Sequence, residues 1–172
     1  MFKKRFCVIY ILFVANLLFA LDKPKNQYQE FLDNNCPDVS NICLDINSIN
    51  GTFWLQNDES HFCYEDYCEI QGILIFSQKL VFITMKYNYE TDKLYHEKIS
   101  AAYSYETLEY LIKIPYRDFY IENNFLYENT HLIDEEYLRE LNLNHKYVLY
   151  QTFVVNSKTP EDGNMLWFDL LE

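Results

Sequence analysis

Between residues 80 and 105 the chain alternates by twos, a pattern that fits a half-buried β-strand and little else. In Leu80–Glu90 the odd positions Val81, Ile83, Met85, Tyr87 and Tyr89 are apolar, whereas Thr84, Lys86 and Asn88 are polar. Glu90-Thr91-Asp92 reads as a turn. Lys93–Tyr105 then resumes the pattern, with Tyr95, Ile99, Ala101, Tyr103 and Tyr105 on one face and His96, Lys98, Ser100 and Ser104 on the other. Ala101 leaves room between large tyrosines, so this face is expected to point inward and His96, Lys98 and Ser100 to point out. Further strands are predicted over Gly51–Asn57, Glu69–Ser77, Leu108–Tyr116, Asp118–Tyr127, Lys146–Asn156 and Met165–Leu171. Asp134–Leu141 breaks the texture: Asp134, Glu135 and Glu136 precede Tyr137, Leu138 and Leu141 at helical spacing, which predicts one short helix. Residues 21–50 hold Pro24, Pro37 and many Asn and Asp without a sustained period, and read as an irregular lead-in.

About eight antiparallel strands with one short helix make a mostly β fold: an up-and-down barrel, with a β-sandwich as the alternative. Glycine is scarce, at Gly51, Gly72 and Gly163 only. Tight turns therefore require longer loops or Asn in left-handed positions.

The first twenty residues are of another kind. Lys3, Lys4 and Arg5 precede the apolar run Phe6–Ala15, and Asn16–Ala20 leads into polar sequence. A basic start, an apolar stretch and a small residue are the parts of a secretory signal peptide, with cleavage expected after Ala20. The apolar stretch is shorter than the ~20 residues of a bilayer span, so no membrane span is expected after cleavage. The organisation read from sequence is a signal over residues 1–20, a disulfide-bearing N-terminal segment over 21–50 and a β-barrel domain over 51–172. A secreted protein follows, periplasmic or extracellular if the source is bacterial.

All 26 acidic residues but only eleven of the 14 basic ones lie after residue 20, which gives the mature chain a charge of −15. Nucleic acid and anionic membranes require clustered Lys and Arg, so neither is expected as a partner. A basic protein partner is compatible with that charge. Cys36, Cys43, Cys63 and Cys68 remain after the signal, and an even count in an oxidising compartment reads as two disulfides of open pairing. A zinc site fits Cys63-x₄-Cys68 and nearby His61 only loosely, and none is expected. Asn50-Gly51-Thr52 is an N-glycosylation acceptor if the host is a eukaryote.

No phosphate-cradling loop or Gly-x-Ser-x-Gly elbow is present. His61, His96, His131 and His145 are scattered without metal-ligand spacing, and the acidic pairs are sequence neighbours rather than carboxylates facing across a cleft. No catalytic residue and no cofactor are expected. The unusual resource is aromatic, with sixteen Tyr and thirteen Phe. Trp54, Tyr87, Tyr103, Tyr110 and Phe153 are the candidate ligand-binding residues, on the premise that they wall a pocket.

Ile49-Asn50-Gly51-Thr52-Phe53-Trp54 resembles the first strand of lipocalin-like domains of the calycin superfamily. Gly72–Phe76, Ala102–Tyr105 and Leu166-Trp167-Phe168 fit the same resemblance, which spans residues 49–172. Phe53 rather than Trp54 stands at the pattern's usual Trp, and Phe168 and Asp169 follow Trp167 where that family often places a basic residue. The resemblance implies an eight-stranded barrel around an apolar ligand cavity. The expected function is an exported, non-enzymatic protein that carries or sequesters a small apolar molecule. The alternatives are a secreted acidic effector or inhibitor acting through its surface, and an isomerase or cyclase on a lipocalin-like barrel, resting on His96.

Overall fold

The computed structural model describes residues 27–58, 60–134 and 139–154, and for residues 131–134 and 139–143 the backbone path alone. A helix, α1, over residues 27–35 precedes ten strands: β1 (Thr52–Gln56), β2 (Phe62–Cys63), β3 (Tyr67–Phe76), β4 (Lys79–Asn88), β5 (Lys93–Ser104), β6 (Glu106–Leu108), β7 (Leu111–Ile114), β8 (Arg117–Glu122), β9 (Phe125–Asp134) and β10 (Arg139–Thr152). Nine run in one antiparallel path, β5-β4-β3-β1-β10-β9-β8-β7-β6, and β2 pairs with the start of β3. The path curls into a half-barrel. Its two ends, β5 and β6, are successive in the chain and joined by Tyr105 alone. Among the described residues no helix is long and apolar enough to cross a membrane.

Strand alternation gives the sheet two buried faces. Trp54, Ile73, Ile75, Leu80, Phe82, Ile112, Phe119, Leu126, Tyr147 and Leu149 form one core. Phe82 of β4 and Phe119 of β8 lie five strands apart along the path, yet their ring centroids are 6.1 Å apart. This face is therefore the inside of the curl. Phe53, Leu55, Ile70, Leu74, Phe76, Val81, Ile83, Met85 and Tyr87 form the other core, on the outside. There α1 covers them with Tyr28, Phe31 and Leu32, spaced i, i+3, i+4 as one helical face requires. The Tyr28 hydroxyl donates to the Gln56 carbonyl at 2.7 Å and fixes the helix to β1.

Gly72 faces that outer core. A Cβ built there would meet Phe53 Cε2 at 2.7 Å and Cζ at 2.9 Å, and Phe53 is itself fully buried. Gly72→Ala is expected to lower stability by about 1–3 kcal/mol, the usual cost of overpacking a filled core, which urea denaturation of the variant would measure.

Turns follow the glycine scarcity. Asn123 and Asn124 both take positive φ between β8 and β9, at 51° and 64°, as expected of Asn in left-handed positions. Asn124 also ties down the N-terminal segment: its Oδ1 accepts from the Leu44 amide and its Nδ2 donates to the Val39 carbonyl. Ser77 and Gln78 adopt positive φ between β3 and β4 without being Gly or Asn, a feature the sequence does not signal.

The architecture corrects several expectations. The lead-in 21–50 contains α1, whose two turns are too short to register as a period. Where a helix is expected at Asp134–Leu141, the described residues are strand: Asp134 ends β9 and Arg139–Leu141 open β10, with Arg139 opposite Asp134 and Leu141 opposite Leu132, while residues 135–138 lie outside the described residues. Long cross-strand pairing outweighs the weak local preference of a single turn. The expected strand at Leu108–Tyr116 is split by a β6–β7 turn, and Asp118–Tyr127 is split by the Asn123-Asn124 turn. The expected signal peptide and the expected strand at Met165–Leu171 lie outside the described residues.

Candidate functional site

On five strands the inward face changes character toward the same end of the half-barrel. Going that way, Trp54 gives way to Gln56 on β1, Ile73 to Gln71 on β3 and Phe82 to Thr84 on β4. On β10 Leu149 is followed by Tyr147 and His145, and on β9 Leu126 is followed by Glu128 and Thr130. The register aligns these polar positions into a girdle, with Gln71 opposite Thr84, Gln56 opposite Tyr147 and His145 opposite Glu128. A pocket of about 230 Å³ opens on the girdle, bounded by Gln56, Gln71, Thr84, His145, His61 and Phe62 among others.

Hydrogen bonds hold the girdle. Glu128 is buried, and its Oε1 accepts from Arg117 Nη1 and Thr130 Oγ1, both at 3.0 Å. The Tyr147 hydroxyl lies 2.6 Å from Glu128 Oε2 and 3.2 Å from Gln71 Oε1; it has one proton, and the shorter contact takes it. Burial, reinforced by the Glu128 charge, pushes the Tyr147 phenol well above its ordinary pKa, so it remains a donor. Gln56 Oε1 accepts from the Gln71 amide at 3.1 Å, while its Nε2 donates to Ser60 Oγ at 2.6 Å. Arg117 also lies over the Phe82 ring, 4.6 Å from its centroid, and so joins the polar and apolar layers.

The loop after β1 is latched over the pocket by Asp58. Its Oδ1 accepts from the Ser60 amide at 2.8 Å and from the Ser60 hydroxyl, and its Oδ2 accepts from the Lys146 amide at 2.9 Å. Ser60 Oγ and Asp58 Oδ2 both approach His145 Nδ1, at 3.0 Å and 3.3 Å. A nucleophilic triad needs the hydroxyl and the carboxylate on opposite ring nitrogens, so this Ser-His-Asp group is not one. Burial opposes the Asp58 charge, but the bonds from His145, Ser60 and the two amides outweigh it and hold the carboxyl well below the usual carboxylate range. The Asp58 bond raises His145, against the effect of its own burial.

These shifts set a pH dependence. The lowered Asp58 contributes stability above its unfolded value of about 3.9, lost as pH falls through the folded value. The raised His145 contributes stability below about 6.5, lost as pH rises through its folded value. Thermal melts across this range are therefore expected to plateau in between, and Asp58→Asn to flatten both limbs.

The five aromatic residues chosen from sequence do not converge. Trp54 is buried on the inside and Tyr87 on the outside. Tyr103 packs half-buried against the inner core, Phe153 against the outer one, and Tyr110 is 81% exposed in the β6–β7 turn. Cys63 and Cys68 form a disulfide, but Cys36, half-buried, and Cys43, exposed, are free thiols, so the expected second bridge is not present. Asn50 is exposed.

Ala101 and Tyr103 of β5, and Tyr105 just after it, pack on the inner core as expected, and His96, Lys98 and Ser100 are exposed. But Lys98 pairs with the inward-facing Thr84 and the Ser100 hydroxyl lies 2.8 Å from Thr84 Oγ1, so these two do not point out as expected. The face is not continuous. Register shifts opposite Phe82/Ile83 and Thr84/Met85 turn Ile99 to the outer core, and Tyr95 is exposed. Bulges of this kind break the period of two.

No family model, curated protein or solved structure matches the chain.

Proposed function

We propose that the chain is a secreted, lipocalin-like binding protein whose ligand sits in the pocket beside the polar girdle at the mouth of the half-barrel. The observation that carries this reading is the shared change on β1, β3, β4, β9 and β10 from a filled apolar layer to a hydrogen-bonded polar girdle beside a pocket. A concave site with a few fixed polar groups is the usual form of a small-molecule site. The ligand class differs from the apolar molecule expected from sequence, because Trp54 and its neighbours fill the inner apolar layer themselves. Gln56, Gln71, Thr84 and His145 suit a molecule rich in hydrogen-bonding groups, and Phe62, 71% exposed, supplies an apolar flank. At about 230 Å³ the pocket is below the ~300–1,000 Å³ of sites for drug-sized ligands, so the molecule is small.

The Cys63–Cys68 bridge supports an oxidising compartment, and the exposure of Asn50 supports its glycosylation in a eukaryotic host. Native mass spectrometry of secreted protein is expected to show one small adduct, lost in Gln71→Leu while the fold persists. A chain that carries no adduct and gains no thermal stability from a panel of small polar metabolites contradicts the proposal.

A further inference from the structure

We propose that His61, Cys63 and Cys68 form a zinc site that becomes available when the Cys63–Cys68 bridge is reduced, so that this corner of the half-barrel is a redox-gated metal site. Cys63 and Cys68 are direct partners in the β2–β3 pairing, which sets their side chains side by side. With His61, two residues before Cys63, they place three donor atoms within 4.8 Å of one another. One imidazole and two thiolates are the ligand types zinc prefers, and three protein ligands leave the fourth tetrahedral position to water.

The surroundings are those of a metal site as well. His61 Nδ1 lies 2.6 Å from the Asp58 carbonyl, which can only accept, so the proton is on Nδ1 and the metal-binding lone pair on Nε2. The Tyr89 hydroxyl lies 2.7 Å from Cys68 Sγ, where it can donate to a thiolate. The pocket at the mouth is bounded by His61 and Phe62 and gives an ion a route in. Spacing in the sequence fits zinc only loosely because the third donor is brought in by the loop before β2 rather than by a second knuckle.

The chemistry balances as two steps. A dithiol reductant passes two electrons and two protons to the bridge, giving two thiols and its own disulfide. Metal binding then displaces the two thiol protons, leaving Zn²⁺ on two thiolates and neutral His61. A disulfide oxidant that takes two electrons from the two thiolates, and with two protons becomes a dithiol, re-forms the bridge and expels the ion.

Cobalt is the probe, titrated anaerobically into full-length protein reduced with a phosphine. The expected result is a thiolate-to-cobalt charge-transfer band saturating at one equivalent, absent from the oxidised protein and from Cys63→Ser. His61→Ala keeps both thiols and is expected to bind roughly ten-fold or more weakly. A Cys36→Ser/Cys43→Ser double variant keeps the band. Far-UV dichroism follows the fold, and a reduced chain that loses its sheet is expected to regain it with Zn²⁺. No band in the reduced protein, a band that survives Cys63→Ser, or a reduced chain that Zn²⁺ does not restore would overturn the proposal.

Discussion

Trp54→Ala is expected to lower stability by about 3–5 kcal/mol, whereas Tyr110→Ala changes it by no more than about 0.5 kcal/mol. Both residues carry a large aromatic ring on or beside a strand, but Trp54 is wholly inside the half-barrel and Tyr110 is 81% exposed. Removing the indole empties volume between β1, β3 and β10, where Ile73 and Leu149 face it across the ladder. The indole Nε1 also donates to Thr52 Oγ1 at 2.7 Å, and that hydroxyl in turn donates to the Ile49 carbonyl. The change therefore costs a cavity and removes the end of a buried hydrogen-bond chain. Urea denaturation of the two variants side by side measures the contrast; equal midpoints would mean that the inner layer is not a packed core.

Glu128→Ala is expected to cost roughly 2–4 kcal/mol, below the upper range for a buried ion pair because Arg117 reaches solvent. Glu128 satisfies three donors from three strands: Arg117 of β8, Thr130 of β9 and Tyr147 of β10. Its loss strands a guanidinium beside the Phe82 ring and leaves the Tyr147 hydroxyl only its longer contact to Gln71. Tyr147→Phe leaves the ion pair intact and is expected to cost about 1 kcal/mol. A Glu128→Ala cost no larger than that of Tyr147→Phe would place the carboxylate outside the network described here.

The alternation in residues 80–105 was enough to read a mostly β, antiparallel fold, because a period of two has no other common meaning. The faces were harder. In β5 the bulges reverse the odd positions partway along, so Ile99 and Ala101 fall on opposite sides although they share parity. Bulges carry no residue signature here. The helix was misplaced for an energetic reason. Asp134–Leu141 has the acidic start of a helix, but Asp134 and Arg139–Leu141 pair as strands, while Tyr28, Phe31 and Leu32 make a helix whose stability comes from docking on the outer sheet face.

The candidate site was almost illegible for a related cause. Gln56, Gln71, Thr84, Glu128 and His145 lie on five different strands, and each is an ordinary polar residue in its own segment. Only the pairing register brings them to one end. Once the inward parity is known, a signal does exist: on each strand the inward series turns from apolar to polar in the same direction. Aromatic content, the most conspicuous feature of the composition, pointed to core residues on both faces rather than to a ligand wall.

The most direct test of the ligand seat is amide NMR on ¹⁵N-labelled protein titrated with a panel of small polar fragments. Binding at the girdle predicts that responding fragments shift the amides of Gln56, Ser60, Gln71, Thr84 and His145, and that Gln71→Leu abolishes those shifts. Shifts gathered instead around Trp54 and Tyr103, or no response across the panel, would contradict it.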